Sequence, residues 1–265
     1  MTTLFLVFIA IVSILFIGIR FIEARSLYFP TRIIESKPDV LNLNYKEVWL
    51  KASDLVKIHA WYFGQGQKPV LIYCHGNGGN MGLRITKIKF FLDIGFDVLA
   101  FDYRGYGQSD GKPSEKGLYA DAVAAYDYLH AQMGYPAEKI ALYGESLGGA
   151  VAAELAIRKK IAYLIIEDSF TSIPDMAKQF YPWLPDWCLL TKFASVLKMG
   201  KVLSPVLIYH SKDDEIIPFH MGRSLYDNAK EPKDFVELRG SHNTAYFDSG
   251  TLWANKLKEV IKHIN

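Results

Sequence analysis

Short apolar runs recur between longer helix-forming stretches along most of this 265-residue chain, and that alternation limits the fold more than any single motif. Residues 69–74, 96–101, 139–143, 162–167 and 205–209 are almost uninterruptedly apolar. Runs of that length read as strands buried on both faces, as in a parallel sheet, because a half-exposed strand would alternate. Residues 46–50 and 56–63 read as an opening hairpin, its second arm alternating. Helical stretches lie between the runs, at 82–93, 115–132 and 147–159. Strands alternating with helices imply βαβ units and an α/β fold with a mostly parallel, doubly wound sheet. Half of the residues are hydrophobic, enough for one large, well-covered core. In such sheets ligands bind beyond the carboxyl ends of the strands, so chemistry is expected just after the apolar runs.

After the run at 139–143 comes Gly144-Glu145-Ser146-Leu147-Gly148-Gly149, and then the helix former Ala150-Val151-Ala152-Ala153. This is strand, sharp turn and helix, with a serine at the apex. Glycines two residues either side allow the turn to close, and the serine hydroxyl stands clear of the sheet as a nucleophile. The helix behind it aims free N–H groups and a positive dipole end at the same spot. After the run at 69–74 comes His75-Gly76-Asn77-Gly78-Gly79-Asn80. This glycine-rich turn lacks the Lys-Ser/Thr of a phosphate loop, and its glycines do not fit a dinucleotide fingerprint. Acyl transfer has another use for it, since backbone N–H groups must hold a carbonyl oxygen that becomes negative. Leu147 and Asn77 are the expected donors, with Gly78 as the alternative to Asn77.

Such a nucleophile needs a base and an acid. Of the seven histidines, His59, His130, His220 and His263 fall in a strand, in helices and near the C-terminus; His75 belongs to the glycine-rich turn and His210 ends a strand. His242, in a polar loop before the last helix, is the candidate base. For the acid, Asp213 and Asp214 follow the run at 205–209, and Asp168 follows the run before it. Position alone does not separate these three.

The N-terminus is of another kind. Leu4 to Ile19 is apolar except for Ser13 and Gly18, and Phe21 and Ile22 extend the run past Arg20. A membrane-spanning helix needs about 20 residues, and an arginine near its end can snorkel to the headgroups. A cleaved signal peptide would want a basic start and a small-x-small cleavage site, and neither is present. The expectation is an uncleaved single-pass anchor over residues 1–24 with a catalytic domain over 25–265. Arg20, Arg25 and Arg32 all follow the apolar run, which puts that domain on the cytoplasmic side. Net charge is +2, which gives no basis for a nucleic-acid surface. Cys74 and Cys188 are the only cysteines, too few for a zinc site, and Cys74 reads as a buried thiol.

Three segments, His75 to Asn80, Phe101-Asp102-Tyr103-Arg104-Gly105-Tyr106-Gly107-Gln108-Ser109 and Gly144 to Gly149, resemble the α/β-hydrolase superfamily, in this order. The run Ser169-Phe170-Thr171-Ser172-Ile173-Pro174-Asp175-Met176-Ala177 is similar to its bud-emergence (Bem-type) branch. The resemblance extends from about Tyr28 to the C-terminus. It implies an α/β-hydrolase fold with a short helical lid at about 169–200. In the family the acid closes a His-Gly-x-x-Asp motif that ends in proline. His210-Ser211-Lys212-Asp213-Asp214, with Pro218 beyond, then puts the acid at Asp214. Ser211 stands where the family usually has glycine, and Thr244 where an acidic residue often follows the histidine motif. The segment from Asp102 to Ser109 reads as a structural turn beneath the oxyanion loop.

The resulting expectation is a membrane-anchored serine hydrolase. Ser146 attacks an acyl ester or thioester, His242 moves the proton, Asp214 orients His242, and Asn77 and Leu147 hold the oxyanion, without metal or cofactor. An amide substrate and a non-catalytic scaffold are the alternatives. Phe170, Phe180, Tyr181, Trp183, Trp187 and Phe193 crowd the lid segment, and so the expected partner is a lipophilic small-molecule acyl substrate.

Overall fold

The computed structural model describes residues 2–264. The chain opens with helix α1 (Thr2–Leu27) and a two-residue strand β1 (Phe29–Pro30). The expected hairpin forms as β2 (Lys46–Lys51) and β3 (Lys57–Phe63), with Lys46 opposite Tyr62. There follow β4 (Val70–Cys74), β5 (Gly78–Gly79), α2 (Ile85–Ile94), β6 (Asp97–Phe101), α3 (Glu115–Asp127), β7 (Ile140–Glu145), α4 (Leu147–Arg158) and β8 (Tyr163–Glu167). The chain ends with α5 (Ile173–Phe180), α6 (Val196–Met199), β9 (Val206–Ser211), α7 (Phe219–Asn228), β10 (Lys233–Leu238), α8 (Ala245–Asp248) and α9 (Gly250–Ile264).

Eight strands form one sheet in the order β10-β9-β8-β7-β4-β6-β3-β2. Neighbours run parallel from β10 to β6, and β3 and β2 are antiparallel. Every residue of β4, β6 and β8 is buried, as uninterrupted apolar runs require. Successive side chains point to opposite faces. Val70, Ile72, Leu142 and Leu164 therefore join one core with α3 and α4, while Leu71, Tyr73, Ala141 and Ile165 join a second core with α2 and α9. From β4 the chain winds outward through β6, then returns to place β7 on the other side of β4. The order therefore switches direction between β4 and β7, where a crevice opens at the strand ends. The turn after β4 and the Ser146 turn after β7 meet there.

Helix α1 is continuous from Thr2 to Leu27, and Phe5, Leu6, Ile14 and Ile17 on it are exposed. Among the described residues no helix is long and apolar enough to cross a membrane, so the span expected over residues 1–24 finds no support in the structure. Met1, in that segment, lies outside the described residues. Cys74 and Cys188 are buried free thiols.

Candidate active site

Ser146 sits between β7 and α4 with φ 53° and ψ −121°, a backbone shape that few non-glycine residues hold. The shape is enforced from both sides. The Ser146 N–H donates to the Glu167 carbonyl at 2.9 Å, and the Ser169 hydroxyl donates to the Ser146 carbonyl at 2.7 Å. The flanking glycines leave no room for side chains. A Cβ on Gly148 would stand 1.9 Å from the Cys74 carbonyl oxygen, and one on Gly144 would stand 2.3 Å from the Gly148 carbonyl oxygen. Leu147 opens α4, so its N–H belongs to the unpaired first turn.

The glycine-rich turn lies beside this apex, and Gly76, Asn77, Ser146 and Leu147 line one cavity. Three bonds hold the Asn77 peptide. Its carbonyl accepts the Phe29 N–H at 3.0 Å and the Tyr106 hydroxyl at 2.8 Å, and its Nδ2 donates to the Leu27 carbonyl at 3.2 Å. The Asp102–Ser109 turn props the loop from below. Asp102 Oδ1 accepts the Met81 N–H at 2.7 Å, and the Tyr103 hydroxyl donates to the His75 carbonyl at 3.0 Å. His75 itself is buried against Tyr103 and Tyr106, with Nδ1 2.7 Å from the Gly76 carbonyl, and is part of this support.

Asp214 and His242 come together across the loops after β9 and β10. His242 Nδ1 lies 2.7 Å from Asp214 Oδ2, while Asp214 Oδ1 accepts the N–H groups of Ile216 and Ile217, each at 2.8 Å. Burial acts to raise the Asp214 pKa, but the hydrogen bond and charge of His242 and the two N–H donors outweigh it and hold the carboxyl below its ordinary range. Burial acts to lower the His242 pKa, yet the Asp214 hydrogen bond and charge, with Asp168 and Glu145 behind, leave it raised. His242 shares the cavity with Ser146. Asp213 points elsewhere, to Arg239 at 3.0 Å.

The two departures from the family pattern are absorbed locally. Ser211, in place of glycine, donates its hydroxyl to the Gly240 carbonyl at 2.5 Å and ties the acid loop to the histidine loop. Thr244 accepts the Ser241 N–H through its hydroxyl at 3.2 Å and closes the turn that carries His242.

Asp168 is neither remote nor the partner of His242. It stands at φ 45° with Oδ1 accepting the Ser211 N–H at 2.7 Å and Oδ2 without a partner. One ligand atom from each of Asp168, Asp214 and His242 falls within 4.8 Å of the others. Burial and the Glu167 charge push its carboxyl up to about 8, against the Ser211 N–H. Two carboxylates and a histidine are a donor set that can hold a metal, but here the facing histidine nitrogen is already committed to Asp214.

A buried ion cluster beneath the apex was not legible in the sequence. Lys87 Nζ lies 2.6 Å from Glu145 and 2.5 Å from Glu167, and Arg84 Nε lies 2.7 Å from Glu145. Glu145 also accepts the Gly76 N–H at 3.2 Å. The residue before Ser146 therefore ties the Ser146 turn to the glycine-rich turn and to α2. Burial opposes the charge on Glu145, but the two cations outweigh it and depress its pKa. No motif announces Lys87, since α2 reads as an ordinary amphipathic helix.

The cavity measures about 1030 Å³, at the upper end of the roughly 300–1,000 Å³ usual for small-molecule pockets. Phe170, Phe180, Tyr181 and Trp183 line it. Trp187 does not and is 76% exposed, while Phe193 is fully buried and packs edge-on to Tyr119. The lid aromatics expected to form one lining thus divide among cavity, surface and core. Short spacing between prolines had hidden this division, because only α5 within the segment is long enough to fix a face.

A parallel sheet with a strained serine turn at its switch point, and a histidine in the same cavity with a carboxylate bonded behind it, defines a class, the α/β hydrolases. Comparison with known proteins agrees. The profile described as alpha/beta hydrolase fold matches residues 69–196. An uncharacterised protein of Mycobacterium tuberculosis is 35% identical over 96% of this chain and 93% of its own. Protein bem46 of Schizosaccharomyces pombe is 31% identical over 78% of this chain and 75% of its own. The chain belongs to the α/β-hydrolase family, among its bem46- and ABHD-type members. Lysophosphatidylserine lipase ABHD12 of Danio rerio is 35% identical over 70% of this chain, which spans about half of that relative (54%). An esterase from Pyrococcus furiosus superposes with a TM-score of 0.74 at 20% identity, over 89% of this chain and 100% of that one, a likeness of fold.

Proposed function

We propose that the protein is a serine hydrolase that cleaves an acyl ester or thioester through an acyl-enzyme. Ser146 Oγ attacks the acyl carbonyl while His242 accepts its proton through Nε2, the nitrogen not held by Asp214. The tetrahedral oxyanion is met by the N–H groups of Leu147 and Asn77. Collapse of the intermediate transfers the proton from His242 to the leaving oxygen or sulfur, and water then repeats the cycle on the acyl-enzyme. The observation that carries the reading is that Ser146 and His242 line one cavity, with Asp214 bonded behind His242. ABHD12, a lipase by name, and the apolar lining together support a lipophilic acyl group. In this reading residues 25–265 form the hydrolase domain, with the segment at about 169–200 as its lid.

The test is covalent labelling of the full-length chain with a fluorophosphonate, together with turnover of p-nitrophenyl esters. Wild type should label and turn over, and Ser146→Ala should lose both, with kcat falling by about 10⁴ to 10⁶. Equal labelling of Ser146→Ala would remove Ser146 from the mechanism. Absence of labelling in wild type would make the fold a non-catalytic binder.

We further infer that α1 attaches the protein to a membrane, with the hydrolase domain on the cytoplasmic side. The exposed Phe5, Leu6, Val7, Ile9, Ile14, Phe16 and Ile17 support attachment, since apolar side chains in such number seek lipid or protein cover. The arginines that follow the apolar run support the orientation. Flotation with liposomes, carbonate extraction and protease protection test attachment, spanning and sidedness in turn. Release of the full chain by carbonate would rule out a span.

A further inference from the structure

The cavity is not enclosed by the hydrolase fold alone. Ile19, Ile22, Glu23 and Ser26 of α1 also line it. These positions recur at intervals of three and four residues, which places them on one face of the helix. That face is held in place. The Glu23 side chain is buried, and its carboxylate accepts the Thr191 N–H at 2.6 Å and the Leu190 N–H at 3.3 Å, and also pairs with Arg20. A buried carboxylate at this point ties the rotation and the height of the helix to the lid segment, because a turn or slide would take it from the Leu190 and Thr191 N–H groups and leave only Arg20 of its own helix. The C-terminal end of α1 is fixed as well, through the Leu27 carbonyl to Asn77. Lid side chains that include Phe180 and Trp183 line the same cavity.

We propose that the face of α1 bearing Ile19 and Ile22 is the distal wall of the acyl site, and that these two side chains set the length of acyl chain accepted. This rests on the serine-hydrolase reading above. An ester whose carbonyl lies at Ser146 extends its tail between the lid and α1. The chemical class it fits is a single long-chain acyl group, because Ile19 and Ile22 join the apolar lid side chains in the lining and the volume exceeds what a short ester fills. The residues that select the substrate thus lie partly outside the sheet, on a helix whose sequence reads only as an apolar segment. Glu23 is the positioning residue that holds the wall.

The experiment uses the full-length chain in detergent micelles, with p-nitrophenyl butyrate and dodecanoate as substrates. Ile19→Trp and Ile22→Trp fill the wall, Ile19→Ala deepens it, and Ile14→Trp alters the same helix at an exposed position that does not line the cavity. Each apolar methylene kept in contact is worth about fourfold in affinity. The tryptophan variants at 19 and 22 should therefore lower kcat/KM for dodecanoate by about tenfold or more and leave butyrate within about twofold. Ile19→Ala should move the preference toward longer chains, and Ile14→Trp should change neither ester by more than about twofold. A second measurement needs no turnover: displacement by dodecanoic acid of cavity-bound 1-anilinonaphthalene-8-sulfonate. The Kd should weaken in Ile19→Trp and Ile22→Trp and hold in Ile14→Trp. Unchanged dodecanoate kinetics and binding in the variants at 19 and 22 would overturn the proposal, as would an equal change in Ile14→Trp. Wild type that binds dodecanoic acid without hydrolysing either ester would retire the catalytic reading and leave the wall standing on the displacement result.

Discussion

Asp214 gives one carboxylate oxygen to His242 at 2.7 Å and keeps the other for the N–H groups of Ile216 and Ile217. The carboxylate is therefore locked before it meets the histidine, and it in turn fixes which imidazole nitrogen carries the proton. Asp214→Asn should cost roughly 10⁴ in kcat through the wrong tautomer. Asp213→Asn, which touches only exposed contacts to Arg239 and the Gly240 N–H, should cost less than about threefold. Steady-state kinetics on the two variants decides the matter, and a reversed order would move the acid by one residue.

The pH dependence follows from the same pair. His242 must be neutral to take a proton, and its pKa is raised because Asp214 outweighs burial. The acidic limb of kcat/KM should therefore lie above pH 6.5 in wild type. Asp214→Asn leaves burial as the main influence, so the limb of its residual activity should shift to lower pH. A limb that stays in place would mean that another group titrates.

Asp168 should leave a signature in stability. Its folded pKa, about 8, lies well above the ordinary 3.8. Between these values the unfolded chain has lost the proton and the folded chain keeps it, which favours unfolding more as pH rises. The stability tied to this group is complete below about pH 4 and has been lost by about pH 8. Asp168→Asn keeps the acceptor for Ser211 and removes the titration. The melting temperature of wild type relative to the variant should thus fall steadily from pH 4 to 8. A constant difference would show that Asp168 ionises as an ordinary carboxylate.

Gly148→Ala should be severe although it adds one methyl group. The new carbon would meet the Cys74 carbonyl at 1.9 Å, and that oxygen is held in the sheet. Overpacking against backbone costs about 3 kcal/mol or more, which corresponds to roughly 6 °C or more in Tm. Thermal unfolding checks this, and a loss of 2 °C or less, about 1 kcal/mol, would mean that the turn is looser than it looks.

Trp183→Ala and Trp187→Ala should differ. Trp183 lines the cavity and Trp187 does not. Removing Trp183 should raise KM for medium-chain esters several-fold more than for acetate, at about 0.8 kcal/mol for each methylene left without contact. Removing Trp187 should change neither. Matched effects from both would point to a lid held together by its aromatics instead of a lining.

The parts of the site that announced themselves in sequence are those fixed by backbone geometry. Gly144 and Gly148 mark the Ser146 turn because no other residue fits, and the apolar runs mark the strands because both faces are covered. His242 is singled out by chain order, and Asp214 only by the resemblance to the family's acid motif, since position alone leaves three carboxylates open. What stayed hidden depends on packing between distant segments. Helix α1 is apolar on most sides, so its sequence shows no face to say which residues meet the domain. Strand β1 is two residues long and includes a proline, too short for any periodic signal. Asp168 looked like one of three equivalent acids, and only the fold reveals that it sits beside the pair without joining it. The split of the lid aromatics depends on the path of the segment past Pro182 and Pro185, which composition does not fix.

The lashing of β1 to the glycine-rich turn makes α1 a splint. Phe29 and Leu27 hold Asn77 by backbone and side chain, and Thr31 holds Gly79 at 3.1 Å. A chain cut back to begin at Arg32 for ease of purification would keep Ser146, Asp214 and His242 and lose every one of these ties. Its glycine-rich turn would lose that brace, and whatever such a shortened chain did or failed to do would measure the missing splint, not the intact protein.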